Sequence, residues 1–538
     1  MNKRLILIFS LFLFMVILAA CSDSMVGMDH SNMDMGGQEE NDQETSAKDT
    51  LTQNLLQTVS TGKIEMNEFT LIAQERKHTL TEGKEVTAWT FNGSSPGPEI
   101  RVKEGEEVKI KLENELKVPV TIHWHGIPVP NNMDGIPGLT MNAVQPGESF
   151  TYEFNASVSG TYWYHSHQDG VNQVDKGLYG SFIIESNEDE KYDRDYSLVL
   201  DEWMSDMELM QMGESAESES MEGMDHSNME GMSGEPSVTE EDDAMGHDMS
   251  SMYDTFTING KSGKDVTPLT VKEGEKVRLR LTNAGFMSHK LHLHGHDFKV
   301  IGTDGQEIND PAVIKDELIR IAPGERYDIE FTANNPGEWY LESHGDMEPT
   351  QGMKALIKYE GFSGEGLDQA NENETLPVFD LTSYGKGEKA EFSLDQEFDL
   401  EYTMDLNTVS RGASEKYTIN DKTYPDTDKL QVKEGDLVKV KLVNNSKRDE
   451  HPMHLHGHFF QVLSKDGKPV QGSPIIKDTL NLKPGEEYVV AFKADNLGNW
   501  MFHCHDLHHA AAGMVTQVTY DGFNSDFTPD PHANNQPE

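Results

Sequence analysis

Four histidine-rich stretches carry most of the side chains in this sequence that could bind a metal. HWHG covers residues 123–126, HSH covers 165–167, HPMHLHGH covers 451–458 and HCHDLHHAAAGM covers 503–514. In a β-strand, residues i and i+2 point to the same face, so two imidazoles at that spacing can hold neighbouring metal ions. A single pair is a weak signal, because exposed histidines are common. Four pairs in one chain predict a metal centre.

Cys504 lies between two of these histidines and is one of only two cysteines in the chain. If residues 503–505 are extended, the thiol faces one side of the strand and the imidazoles of His503 and His505 face the other. A thiolate with two histidines and a distant methionine is the ligand set of a blue-copper electron-transfer site. The predicted ligands of that site are His451, Cys504, His509 and, as the weak axial ligand, Met514.

Strand-like segments occur in three similar copies along the chain. A VKEG segment followed by alternating charged and aliphatic residues begins at Val102, Val271 and Val432, and a PGE turn follows each copy. The copies end alike, as GTYWYHSH (160–167), GEWYLESH (337–344) and GNWMFHCH (498–505). Such alternation is typical of half-buried strands. The chain is therefore predicted to be all-β, with three Greek-key β-sandwiches.

The four histidine motifs resemble the copper-binding motifs of three-domain multicopper oxidases, the laccase and cuprous-oxidase group, over about residues 60 to 523. The resemblance implies cupredoxin-like domains and four copper ions: one type 1, one type 2 and two type 3. It assigns His123 and His454 to type 2 copper. It assigns to the type 3 pair His125, His165, His167, His456, His503 and His505. The trinuclear cluster would lie between the first and third domains, with no ligand from the second.

The same resemblance implies one-electron oxidation of a substrate coupled to the four-electron reduction of O2 to water. Because this reaction consumes protons, a carboxylate near the cluster is expected as a relay. Asp134, in NNMDGIPG, stands where the family has such an acid, although an Asp-Gly pair is also an ordinary turn. Ala510 departs from the family pattern, since many relatives carry a second acid there.

The middle copy keeps part of the third motif, in MSHKLHLHGHDF (287–298). Aligning GEWYLESH with GNWMFHCH places Glu342 at the position of His503 and Ser343 at that of Cys504. Without a thiolate, no blue site is expected there. The second domain is interpreted as a decayed copper domain, with an auxiliary copper site on its surviving histidines as the alternative.

The N-terminus predicts export and a lipid anchor. A basic Met1–Arg4 precedes an apolar run, and the run ends in LAAC, Leu18–Cys21, which resembles the bacterial lipobox. The predicted lipoprotein would sit on the outer face of the cell membrane, or on the periplasmic side if an outer membrane exists. The alternative is an ordinary secretory signal with a chance cysteine. With Cys21 lipidated, Cys504 has no disulfide partner.

The domain boundaries follow from the repeats and from composition. The predicted segments are a signal peptide (1–21), a disordered tether (22–60), three cupredoxin domains (61–190, 191–362 and 363–523), a Met-rich insertion within the second domain (204–252) and a polar tail (524–538).

The substrate is predicted from charge and from the Met-rich insertion. A formal net charge of −50 makes nucleic acid an unsuitable partner. Residues 204–252 hold eleven methionines in an acidic background, and thioether and imidazole side chains favour Cu(I). Asp449 and Glu450 could steer a cation to the type 1 site or simply form a solvated loop. Oxidation of Cu(I) in copper tolerance is therefore favoured.

The sequence leaves three alternative functions open. A laccase acting on small phenols would share every copper ligand, and a copper-sequestering lipoprotein would need no oxygen chemistry. A copper nitrite reductase is disfavoured, because HSH and HCH together supply a type 3 pair that such an enzyme lacks.

Overall fold

The computed structural model describes residues 67–188, 191–205, 252–345, 348–362, 376–388, 390–411 and 414–537. All of them belong to one compact unit, 58–538. The predicted signal peptide, the tether, Cys21 and all but the ends of the Met-rich insertion lie outside the described residues. Among the residues that are described, no helix has the length and apolar character needed to cross a bilayer.

The first sandwich (residues 67–185) contains two four-stranded sheets, ordered β2-β1-β4-β6 and β3-β8-β7-β5. Its elements are β1 (Asn67–Thr81), β2 (Lys84–Phe91), β3 (Ile100–Lys103), β4 (Glu107–Asn114), β5 (His123–His125), β6 (Ser149–Asn155), β7 (Gly160–His165), helix α1 (Gly170–Asp175) and β8 (Tyr179–Glu185), with a 3-10 turn at Asn131–Met133.

The second sandwich (194–359) pairs a six-stranded sheet, β10-β9-β12-β17-β14-β15, with a five-stranded sheet, β11-β19-β18-β13-β16. Its strands are β9 (Arg194–Trp203), β10 (Thr255–Ile258), β11 (Leu269–Val271), β12 (Lys276–Asn283), β13 (His289–Leu293), β14 (Phe298–Thr303), β15 (Gln306–Glu307), β16 (Ile319–Ile321), β17 (Arg326–Thr332), β18 (Glu338–Ser343) and β19 (Lys354–Tyr359). Short 3-10 turns occur at Gly263–Asp265 and Glu348–Gly352.

The third sandwich (400–520) pairs a seven-stranded sheet, β21-β20-β23-β29-β25-β26 with β27 on β25, with a five-stranded sheet, β22-β31-β30-β24-β28. Its elements are β20 (Leu400–Arg411), β21 (Ser414–Ile419), β22 (Leu430–Val432), β23 (Leu437–Asn444), β24 (His451–Leu455), β25 (Phe460–Lys465), β26 (Lys468–Pro469), β27 (Ile475–Lys477), β28 (Thr479–Leu482), β29 (Glu487–Lys493), β30 (Asn499–Cys504), helix α2 (Leu507–Ala511) and β31 (Val515–Tyr520). A 3-10 turn at Leu381–Ser383 precedes it.

The repeated VKEG segments form strands as their alternation predicts. In β4, Val108, Ile110 and Leu112 are buried while the lysines between them face outward. β23 shows the same alternation, and each sandwich encloses its own hydrophobic core. The predicted all-β fold is therefore confirmed, whereas the exact domain limits stay a prediction.

Strand register places the histidine motifs face to face. His123 of β5 pairs with His165 of β7, and His454 of β24 pairs with His503 of β30. Cross-strand partners lie on the same face of a sheet. Each sandwich that carries two motifs therefore presents them as one patch.

Candidate metal centre

The first and third sandwiches bring eight histidines of the four motifs together in a buried cluster, in which every side chain is at most 3% exposed. Three groups have donor atoms within 4.8 Å of one another: His123, His125 and His454; His125, His165 and His505; and His167, His456 and His503. Each group takes side chains from both sandwiches. The six residues predicted for the type 3 pair thus separate into two trios, and the two predicted for type 2 copper lie together.

Several imidazoles of this cluster have a ring nitrogen without a hydrogen-bond partner. Within the described chain, no partner is found for Nε2 of His123, His165 and His454, for Nδ1 of His125 or for either ring nitrogen of His505. Buried polar atoms are normally paired, so such a group of unpaired ones indicates an ion. Burial also lowers the pKa of His125, His165, His456, His503 and His505 well below the usual value. The rings are then neutral and can donate lone pairs to copper.

A second donor group lies inside the third sandwich. Sγ of Cys504 is 3.8 Å from Nδ1 of His451 and 3.6 Å from Nδ1 of His509, and the two Nδ1 atoms are 3.2 Å apart. Met514 is fully buried, and its carbonyl accepts a hydrogen bond from the Cys504 amide. The four residues predicted for the blue-copper site are therefore adjacent, and their S and N donors fit copper.

The two donor groups are joined through Cys504. His503 and His505, its chain neighbours, belong to different trios of the buried cluster. Nδ1 of His503 also donates to the Cys504 carbonyl at 2.9 Å. The strand alternation predicted from HCH is thus present. The thiol and the cluster are therefore connected through a few covalent bonds and one hydrogen bond.

Asp134 contacts the cluster directly. Its carboxylate accepts a hydrogen bond from Nδ1 of His456 at 3.1 Å, its main-chain carbonyl accepts one from Nδ1 of His123 at 2.9 Å, and the residue is 1% exposed. Gly135 has φ +83°, and a side chain there would meet the Ile122 carbonyl at 1.8 Å. The Asp-Gly turn is therefore packed against the strand that carries His123, and it joins imidazoles of two sandwiches.

Asp478 is a second buried acid at the cluster, and sequence reasoning missed it. Its Oδ1 lies 3.1 Å from Nε2 of His125, and its carbonyl accepts from Nδ1 of His454 at 3.0 Å. Arg326 donates to both carboxylate oxygens, at 2.8 and 2.5 Å. Burial alone would raise the pKa of Asp478, but the guanidinium outweighs burial and holds the pKa below its usual range. Asp478 therefore stays ionised and orients two imidazoles.

The second sandwich supports the cluster, although it provides none of the eight histidines. Arg326 belongs to its β17, and a side chain on Gly324 would meet the rings of His505 at 2.8 Å and His125 at 3.1 Å. Asp304, also from the second sandwich, accepts from the Arg326 amide and pairs with Lys477 at 3.1 Å. This positioning role of the middle domain was not predicted.

The sequence of this chain matches a known protein family. Models of a family described as multicopper oxidase match residues 73–189, 236–360 and 396–522. Multicopper oxidase MmcO of Mycobacterium tuberculosis is 32% identical over 81% of this chain and 84% of its own.

The chain belongs to the multicopper oxidase family.

A further relative and a solved structure are similar to most of this oxidase. Copper resistance protein A of Escherichia coli is 26% identical and covers 85% of this chain and 93% of its own. A solved structure described as a multicopper oxidase from Campylobacter jejuni, a metallo-oxidase, has a TM-score of 0.62 at 26% identity and covers 87% of this chain and 93% of its own. The resemblance predicted from the motifs is therefore confirmed, and the protein is an oxidoreductase of a copper-using family.

A pocket of about 500 Å³ opens beside His509 of the oxidase. Its walls include Met287, Glu415, Tyr417, Asp449 and Asp506. The ring of Tyr417 stacks on His509 with centroids 3.8 Å apart. The pocket therefore reaches His509, at the edge of the predicted blue-copper site, from outside the buried cluster.

The acids before His451 differ in their surroundings. Glu450 accepts hydrogen bonds from Ser288 and Asn481, both at 2.8 Å, and pairs with Arg320. Asp449 lines the pocket and accepts from Thr408 at 2.6 Å. Glu450 is therefore held in an ion pair between sandwiches, whereas the cation nearest Asp449 is Arg448, its chain neighbour, at 3.6 Å.

Ala510 and the C-terminal tail complete the surroundings of the oxidase site. Ala510 is buried with Ile136, Met501 and Val515 in an apolar cluster, so no acid occupies that position. The predicted polar tail reaches the buried histidine cluster, because the Pro537 carbonyl accepts from Nδ1 of His167 at 2.6 Å. The tail contact was not predicted, since its sequence carries no metal-binding pattern.

Proposed function

We propose that this multicopper oxidase oxidises Cu(I) to Cu(II) and reduces O2 to water, as part of copper tolerance. Four copper ions would be bound. Type 1 copper is assigned to His451, Cys504, His509 and Met514, and type 2 copper to His123 and His454. The type 3 pair is assigned to the trio His125, His165 and His505 and the trio His167, His456 and His503. The donor groups within 4.8 Å support this assignment.

Bound copper supplies the one-electron redox steps and stores the four electrons that O2 requires. The chain's own residues separate the two ends of the reaction. Cys504 links the substrate side to the cluster, and the burial of the eight histidines excludes bulk solvent from the place where O2 would react. Substrate oxidation and oxygen reduction can then proceed at different sites.

Asp134 is the proposed proton relay, because no described cation neutralises its carboxylate. It touches His123 and His456, whereas Asp478 is held by Arg326. A carboxylate that stays ionised against a guanidinium is a poor proton donor. Asp478 is therefore proposed as a positioning residue.

The pocket beside His509 is the observation that favours Cu(I). It is lined by Glu415, Asp449, Asp506 and Met287 around the edge of a predicted type 1 histidine. Arg448, also in the lining, pairs with Glu415 and lies 3.6 Å from Asp449. A soft sulfur donor with nearby negative charge suits a monovalent copper ion. The printed name of the Escherichia coli relative, copper resistance protein A, agrees with this substrate.

A laccase-type oxidation of small phenols is the second candidate. The pocket volume of about 500 Å³ suits a single aromatic ring, and Tyr417 and Phe286 supply aromatic walls. The two candidates predict different responses to loss of the carboxylates, because a neutral phenol does not need them.

Oxygen uptake of the copper-loaded protein, with Cu(I) and a phenol compared, tests the proposal. Asp449→Asn should raise the KM for Cu(I) several-fold and leave the KM for the phenol unchanged, with Asp521→Asn, an exposed carboxylate outside the pocket lining, as the matched control. Replacing residues 206–251 by a short Gly/Ser linker should likewise reduce Cu(I) oxidation only. If Cu(I) oxidation survives both changes while phenol oxidation persists, the copper-collecting role is wrong.

We also propose that the protein is exported and anchored by a lipid on Cys21, at the outer face of the cell membrane. This proposal rests on the N-terminal sequence: basic Met1–Arg4, the apolar run that follows and LAAC at its end. Cys21→Ala should move the protein from the membrane fraction to the soluble fraction. If the variant stays with the membrane, the anchor lies elsewhere.

A further inference from the structure

The second sandwich carries a separate group of metal-ligand side chains on one face of its five-stranded sheet. His292 and His294 are two residues apart at the end of β13, and Glu342 and His344 are two residues apart at the end of β18. His292 pairs across the strands with Glu342. Because partners at this spacing share a face, all four side chains point to the same side.

The distances within this group are those of converging ligands. The donor atoms of the three histidines lie within 4.8 Å of one another. Nε2 of His294 is 3.4 Å from Nε2 of His344 and 2.9 Å from Oε1 of Glu342, and the same carboxylate oxygen is 3.9 Å from Nε2 of His344. Three nitrogens and one oxygen therefore surround a single point.

His292 shows that this group is more than a surface ion pair. The residue is 7% exposed, and neither of its ring nitrogens has a hydrogen-bond partner among the described residues. A buried imidazole with both nitrogens unpaired is unfavourable unless an ion or a water fills the gap. Its ring lies 4.2 Å from that of His294 and 5.2 Å from that of His344, centroid to centroid.

The group is also reachable from solvent. The side chains of His294, His344 and Glu342 are 13, 24 and 28% exposed. An ion can therefore enter and leave at this face, in contrast to the eight-histidine cluster, whose side chains are almost fully buried.

The repeat explains why this group differs from the other copies. Its positions correspond to His454, His456, His503 and His505, as the matching register of β13–β18 and β24–β30 shows. Glu342 replaces one imidazole by a carboxylate, which is still a metal ligand, and Ser343 replaces the thiolate of Cys504. All four donors come from one sandwich, which suits one ion rather than a cluster.

We propose that His292, His294, Glu342 and His344 form a further, mononuclear and solvent-accessible site for Cu(II). Three imidazoles and one carboxylate suit a divalent transition metal, and among such ions Cu(II) binds most tightly to a given site of this type. The four ions of the oxidase centre lie elsewhere, so this ion is a fifth copper. The proposal does not depend on Cu(I) being the substrate.

The test is copper stoichiometry of the full-length protein after equilibrium dialysis against buffered Cu(II). The wild type should hold one copper more than His344→Ala. Loss of an outer partner of a metal ligand lowers metal affinity by up to about 100-fold, so loss of the ligand His344 itself should lower the copper affinity of this site by more than that. Lys290→Ala, on the same strand but outside the donor set, is the matched control and should keep the extra ion. Spin counting by electron paramagnetic resonance should show one Cu(II) centre fewer in His344→Ala.

A second variant and a check of folding complete the test. Glu342→Gln changes a different ligand of the same site, and the blue absorption and the unfolding midpoint show whether each variant is folded. Equal copper content in the wild type, His344→Ala and Glu342→Gln would overturn the proposal. Displacement of the extra copper by an equal concentration of Zn(II) would overturn the assignment to Cu(II).

Discussion

The buried pair of Arg326 and Asp478 allows a quantitative test of how the second sandwich supports the copper cluster. Both side chains are at most 1% exposed, and the guanidinium donates to both carboxylate oxygens. Arg326→Met removes the cation and leaves the carboxylate buried without a counter-charge. Breaking a buried pair in this way costs about 3–5 kcal/mol of folding free energy. The loss reflects the uncompensated carboxylate more than the net strength of the pair.

A double variant separates the charge effect from lost packing. Arg326→Met combined with Asp478→Asn removes both charges, so the double variant should be more stable than Arg326→Met alone by about 2 kcal/mol, within the range of coupling energies for residues in contact. Urea unfolding of the copper-free proteins at pH 7 gives these differences. Arg326→Lys is the control that keeps the charge while losing the paired geometry.

Copper content gives a second measure of the same pair. Because Asp478 orients His125 and His454, loss of Arg326 should lower the copper affinity of the cluster by about 10–100-fold, as other outer partners of metal ligands do. The positioning role is refuted if Arg326→Met loses less than about 1 kcal/mol and keeps all of its copper. Additive effects in the double variant would refute the charge coupling.

Four further perturbations test the site and its surroundings. Asp134→Asn should slow reoxidation by O2 at least about 100-fold, because a proton relay is lost, while anaerobic reduction of the blue centre, followed by stopped-flow absorbance, stays at the wild-type rate. Cys504→Ser should abolish the blue absorption and reduce substrate oxidation to background, since no thiolate remains. Removing residues 530–538 takes away the carbonyl bonded to His167 and should speed loss of copper to a chelator about 10–100-fold. Asp175→Asn should change the pH dependence of stability, because burial raises the pKa of Asp175 to about 7.

The sign of the Asp175 effect follows from its raised pKa. A carboxyl group whose pKa is higher in the folded protein than in the unfolded chain favours folding while it is protonated. That contribution is complete below pH about 4 and is lost as the pH rises through about 7. The unfolding midpoint of the wild type should therefore fall relative to that of Asp175→Asn between pH 5 and 8. A constant difference between the two proteins over this range would contradict the raised pKa.

The other three predictions also have outcomes that would contradict them. Equal reoxidation rates for the wild type and Asp134→Asn would show that the proton comes from another group. A blue band in Cys504→Ser would place the type 1 site elsewhere. Unchanged chelator resistance after removal of the tail would mean that the Pro537 carbonyl does not hold His167 in place.

The histidine motifs made the copper-ligand geometry predictable, because strand alternation and repeat spacing are local properties. The thiol of Cys504 lies where the HCH pattern predicts, and Ser343 occupies the corresponding place in the second sandwich. The positions of both follow from period-2 side-chain direction and a common register.

Contacts between sandwiches were not predictable in this way. Arg326 reaches Asp478 across 152 residues of sequence, and no spacing rule reports how two β-sandwiches pack. The same limit explains Glu450, which looked like a steering acid beside His451 but pairs with Arg320 of the second sandwich. Asp478 itself could have been noticed, since IKDTL repeats the IKDEL of the middle copy. Its contact with Arg326 of the second sandwich could not have been predicted from that repeat.

Coupling of Cu(I) oxidation to complete reduction of O2 is the activity proposed for this chain. It is tested by measuring oxygen uptake, Cu(I) loss and peroxide simultaneously on the copper-loaded protein. We predict four Cu(I) oxidised per O2 consumed, no accumulation of peroxide, and loss of both activities in Cys504→Ser. Peroxide as the product, or Cu(I) bound without oxygen uptake, would show that the chain does not couple the two reactions.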